Sequence, residues 1–132
     1  MASAEELLIT ALEGDAAIQT HVRVGSEANY RIYPLVLPQN PGLPAISFQR
    51  IANARVNSFD AGGGIDKPQI QIDCWAGTRR AARDLAKEVK RVVEGATSFG
   101  GWLLSDAEFY EPEIDPPLYR VSLDFSLWLQ ES

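Results

Sequence analysis

Few side chains in this 132-residue sequence are equipped for chemistry, and they include a single cysteine and a single histidine. Cys74 becomes a nucleophile only where a base such as His21 meets it, because the thiolate attacks and the thiol does not. Cys74 shares the parity of Ile70 and Ile72 in the stretch Gln69 to Trp75, which reads as an inert buried thiol. His21 reads as a surface or loop residue. Glu111 and Glu113 stand in alternate register and can face one side. Pro112 separates them, though, and no surrounding apolar group would tune one against the other. Gly62, Gly63 and Gly64 lack the Gly-Lys-Ser/Thr ending of a phosphate loop and lead into no helix. No enzymatic activity, metal or other cofactor is therefore expected.

Charge and hydropathy narrow the partners. Twelve basic against eighteen acidic side chains give a net charge of −6, the wrong sign for gripping phosphates, so specific DNA or RNA binding is not expected. The apolar runs span a few residues, far short of the roughly 20 needed to cross a bilayer, and the start has no basic-then-apolar export pattern. A soluble, unexported protein without a membrane partner is expected. At 45% hydrophobic content the chain supports one packed core, hence a single domain over residues 1–132.

Several elements must position these groups. Ser3-Ala4-Glu5-Glu6 reads as a capping box, opening a helix with Leu7, Leu8, Ala11 and Leu12 on one face. Gly14 stands where a left-handed residue would close it, and Asp15 can cap a further short turn through Ile18. The stretch from Val22 to Asn29 reads as irregular. Arg31-Ile32-Tyr33 has strand composition up to Pro34, and Pro38, Pro41 and Pro44 then make a stiff surface connection. Ala45 to Val56 alternates imperfectly as a strand. Asn57 to Lys67, which holds Phe59, Asp60, Gly62, Gly63 and Gly64, reads as a mobile loop or hairpin tip.

Gln69 to Trp75 alternates cleanly as a strand. Thr78 caps a helix whose stripe of Ala81, Ala82, Leu85, Ala86, Val89, Val92 and Val93 runs to Gly95. Its other face carries Arg79, Arg80, Arg83, Lys87, Glu88, Lys90 and Arg91, either a solvated surface or a contact with an acidic neighbouring subunit. After a glycine turn at Gly100-Gly101, short strands are expected around Trp102-Leu103-Leu104 and Glu108 to Glu111. Tyr119, Val121, Leu123, Phe125, Leu127 and Leu129 then form the buried face of a long strand. The expected fold is α+β: a mostly antiparallel sheet with two main helices packed on it.

Three stretches taken together resemble the tail-completion, or tail-terminator, family of long-tailed phages, prophages and gene-transfer particles. They are Arg31-Ile32-Tyr33-Pro34 with the proline-spaced run to Gln49, Gln69 to Ala76 feeding the alanine-rich helix, and Tyr110-Glu111-Pro112-Glu113 followed by Tyr119 to Trp128. Their order covers nearly the whole chain. The resemblance implies a structural virion protein of the neck region, assembled in the bacterial host cytoplasm. Its expected form is a hexameric ring that ends the tail tube and meets the head connector. The implied partners are further copies of the chain, the tail-tube protein and the connector or stopper protein. DNA would pass through the lumen without specific binding, which net acidity suits.

Trp75 and Trp128 break otherwise polar strand faces and are candidates to anchor a partner, or else each packs within its own subunit. The loop with Phe59, Asp60, Gly62, Gly63 and Gly64, and the helix cations Arg79 and Arg83, complete the candidate interface. Glu108, Glu111, Glu113 and Asp115 either line a bore or face outward. A head-completion neck protein and a small ligand-binding α+β module without oligomerisation remain alternatives.

Overall fold

The computed structural model describes residues 4–22, 30–34, 42–56, 65–96, 100–112 and 117–130. In chain order these form α1 (Ala4–Glu13), α2 (Ala16–Val22), β1 (Ile32–Pro34), β2 (Ala45–Val56), β3 (Ile65–Ala76), α3 (Arg79–Glu94), β4 (Gly100–Glu111) and β5 (Leu118–Gln130). The strands make one five-stranded sheet in the order β1-β2-β3-β5-β4. Only β1 runs parallel to its neighbour, and the other pairings are antiparallel. The fold is thus the α+β arrangement that the hydrophobic periodicity predicts, with three helices instead of two main ones.

The helices cover one face of the sheet. Leu8 and Leu12 of α1, Ile18 and Val22 of α2, and Leu85, Val89 and Val93 of α3 are fully buried against Ile46, Ile70, Ile72, Cys74, Val121, Leu123 and Phe125. Each fully buried Leu, Ile, Val or Phe contributes roughly 1.5–3 kcal/mol, so this face holds the layers together. α3 starts where Thr78 Oγ1 accepts from the Ala81 amide at 3.1 Å and ends where the Gly95 amide donates to the Arg91 carbonyl at 3.0 Å. Its start, stop and stripe are those expected from the sequence.

Other boundaries differ. The turn after Asp15 is a helix because Asp15 Oδ2 accepts from the Ile18 amide at 3.1 Å while Ile18 and Val22 bury. His21 consequently lies in a helical turn and not in a loop. Gly14 donates to the Thr10 carbonyl at 3.0 Å without entering the left-handed region, so a plain turn closes α1. Ile65 to Lys67 belong to β3, paired with Val56 to Ala54, and not to a loop. Ser3, the stretch 23–29, Pro38, Pro41, Phe59, Asp60, Gly62, Gly63, Gly64, Glu113 and Asp115 lie outside the described residues.

The largest difference is β4. Instead of a glycine turn and two short strands, Gly100–Glu111 is one twelve-residue strand. The register shifts between Leu103 and Ser105, so Leu104 is a bulge. A bulge reverses strand parity. Leu103 lies opposite Phe125 and Asp106 opposite Leu123, so an odd residue before the bulge and an even one after it share the helix side. β2 has a matching shift between Arg50 and Ala52, which leaves Ile51 out of the ladder. At Gly101 the backbone passes so near α3 that a Cβ would lie 2.6 Å from Val93 Cγ1 and 2.7 Å from its carbonyl oxygen. Glycine permits that approach.

Candidate functional site

β4 is a border strand: β5 occupies one side and, among the described residues, no strand occupies the other. Border strands in monomers are commonly protected by short length, lysine or proline, a bulge or inward-pointing charges. β4 has the bulge at Leu104 and the carboxylates Asp106 and Glu108, but it is twelve residues long. It contains no lysine or proline and exposes Trp102 at 62%, Leu104 at 49%, Phe109 at 43% and Tyr110 at 52%. The remaining exposed large hydrophobic among the described residues, Ile51, is the bulge residue of β2 toward the opposite border.

On the helix side β4 is clasped by α3. Arg79 Nε donates to Glu108 Oε1 at 2.8 Å, Arg83 lies 3.0 Å from Glu108 Oε2, and Arg83 and Lys90 each reach Asp106 at 3.1 Å. The acidic partner of the basic helix face is therefore in the same chain. Arg91 likewise meets Asp15 at 2.7 Å. Hydrogen bonds from Arg83 and then Arg79 hold the Glu108 carboxyl at about 2, well below its ordinary value. At Asp106 burial pushes the carboxyl up, but Lys90 and Arg83 outweigh it and leave it lowered. Exposed pairs of this kind are screened by solvent and contribute little to stability, so the clasp orients the strand more than it holds the fold.

The helix-free face has its own network. Half-buried Trp75 donates from Nε1 to Ser47 Oγ at 2.9 Å. The Arg120 guanidinium lies 4.3 Å from the Phe109 ring centre and 5.3 Å from that of Trp75, within cation–π range. Arg120 also approaches Glu111 at 3.4 Å and Asp73 at 3.6 Å, while Ser105 donates to Asp124 at 2.8 Å. Trp75 is thus tied into its own subunit. The backbone of Trp128 pairs with Gly100, and its side chain lies outside the described residues.

The groups singled out for chemistry do not form a reactive set. Cys74 is wholly buried at the middle of the sheet, and that burial pushes its thiol well above its ordinary range, so the thiolate is disfavoured. Glu111 faces Arg120. A cleft of about 210 Å³ lies between Arg79, Glu108, Tyr110, Tyr119 and Arg120, and a wider, open groove of about 490 Å³ lies between Leu7, Thr10, Asp15, Arg91 and Ala96. Among the described residues no three His, Cys, Asp or Glu side chains gather as a metal group, and no helix is long and apolar enough to cross a membrane.

Sequence reasoning brought Trp75, Arg79 and Arg83 forward, and the structure places all three in contacts within the subunit. It passed over Trp102, Leu104, Phe109 and Tyr110 as an exposed set. A signal was present: Asp106 and Glu108 recur at a spacing of two, matching cations one helical turn apart, which points to a strand lying beneath that helix.

Comparisons with known proteins agree with this architecture. A family model described as "Tail completion protein gp17" matches residues 6–130. A solved structure titled "Virion of native gene transfer agent (GTA) particle" contains a chain of similar fold, with a TM-score of 0.64 at 18% identity, covering 94% of this chain and 92% of that one. No curated protein matches in sequence.

Proposed function

Since the chain belongs to the tail completion protein gp17 family, and so is a structural protein of a phage-type tail, we propose that it is one subunit of a closed ring that ends the tail tube and joins it to the head connector. One domain spanning residues 1–132 performs this role by assembly, without turnover. Its partners are further copies of itself, six to a ring, the last tier of tail-tube subunits and the connector or stopper protein. The ring sits in the neck of the particle and assembles in the host cytoplasm. A net charge of −6 per subunit suits a bore through which DNA slides without being held.

The observation that carries this reading is the exposed β4 border with Trp102, Leu104, Phe109 and Tyr110. A subunit that meets its neighbour head to tail must keep an adhesive border unsatisfied when alone, and rotation by a constant angle then closes the ring at a finite number. Closure removes every free border, which is what a terminating piece requires. The wholly buried Cys74 supports a role without catalysis.

The test is particle assembly with and without this chain, read by electron microscopy. Without it, tails should be irregular in length and detached from heads, and adding the purified protein should restore uniform, attached tails. Tails of normal length firmly joined to heads in its absence would overturn the proposal.

A further inference from the structure

We infer that β4 of one subunit pairs antiparallel with the outer half of β2, Gln49–Val56, of a second copy, so that the sheet continues from subunit to subunit. This rests on the ring reading and names the partner surface that β4 meets.

The two borders complement each other. The exposed large hydrophobics among the described residues are Trp102, Leu104, Phe109 and Tyr110 on the border strand β4 and Ile51 on the part of β2 that extends beyond β1. Both strands are bulged, and the residue each bulge leaves out of the internal ladder, Leu104 or Ile51, is large, apolar and about half exposed. The uncovered part of β2, Gln49–Val56, is long enough to pair with most of β4. β1 pairs with β2 only from Ile46 to Phe48, and among the described residues no strand covers the length beyond.

Strand direction supplies the geometry. β2 and β5 run one way and β3 and β4 the other. A copy rotated about an axis along the strands therefore brings its β2 antiparallel to β4, the pairing with perpendicular hydrogen bonds. A two-fold β4-to-β4 contact would leave Ile51 exposed and stop at a dimer.

Charge follows the same sense. β4 carries Asp106, Glu108 and Glu111 with no cation, whereas Gln49–Val56 carries Arg50 and Arg55 with no carboxylate. Asp106, Glu108 and Glu111 have partners within the subunit, and Arg50 pairs with Glu5 at 2.6 Å. With these charges answered inside the subunit, the backbone ladder and the apolar side chains supply the affinity.

The experiment uses two border variants, Leu104→Lys and Ile51→Lys, compared with the wild-type chain by sedimentation velocity up to about millimolar protein. Circular dichroism checks folding, and Leu104→Asp and Ile51→Asp replace either variant that misfolds. Each variant alone should remain monomeric, with self-association weakened at least tenfold. An equimolar mixture of the two retains one intact border pair, so it should form one-to-one heterodimers and nothing larger. A mixture that stays monomeric while wild-type protein forms rings overturns the border assignment and leaves the ring reading standing. Normal association of Ile51→Lys alone also overturns it, in favour of a β4-to-β4 contact. A wild-type chain that never self-associates, even when added to tail-tube ends, overturns both.

Discussion

At the scale of residues, Trp75 shows how a side chain that breaks a polar strand pattern can serve its own fold. Its indole Nε1 donates to Ser47, and its ring lies near the Arg120 guanidinium. Trp75→Ala should therefore lower the stability of the dilute monomer by about 2 kcal/mol through lost burial. Ser47→Ala should cost about 1 kcal/mol, because the indole donor loses its acceptor. Urea unfolding measures both. If Trp75→Ala left monomer stability unchanged and abolished association instead, the residue would belong to the interface. Sequence could rank Trp75 as unusual, but its acceptor lies 28 residues away across a strand pair, and only the fold brings them together.

Between elements, the clasp of α3 on β4 makes stability depend on pH. Glu108 titrates at about 2 in the fold against an ordinary 4.5, and Asp106 is lowered too. For depressed carboxyls the unfolded chain takes up protons first, so their stabilisation is complete above pH 4.5 and fades as pH falls toward 2. Thermal melts across that interval should show Tm falling with acidification, and Glu108→Gln should flatten the fall. Curves of equal steepness for the two proteins would remove Glu108 from the account. α3 was legible in sequence because cap, stripe and stop agree. β4 was not, because the bulge at Leu104 reverses parity midway and its border position leaves few residues to bury.

For the molecule as a whole, the proposed ring makes stability a function of concentration. Association that favours the folded state adds to its stability by mass action. The Tm of wild-type protein should rise by several degrees as concentration rises about a hundredfold, whereas Leu104→Lys should melt at a constant temperature. Differential scanning calorimetry reads the difference. A wild-type Tm independent of concentration would count against self-association through this border.

Sequence alone determined the α+β class, the buried faces of β3, α3 and β5, the acidic balance, and the resemblance to tail-completion proteins that the family match bears out. Those features are written in periodicity, capping and composition, which act over a few residues. Only the tertiary structure decided that Arg79, Arg83 and Lys90 of α3 meet Asp106 and Glu108 of their own chain, and that Trp75 donates to Ser47 across a strand pair. It also decided that, among the described residues, most of the exposed large apolar side chains gather on the border strand β4. Such outcomes depend on strand order and register, and these are set by which distant segments bury each other's apolar faces, not by any local pattern.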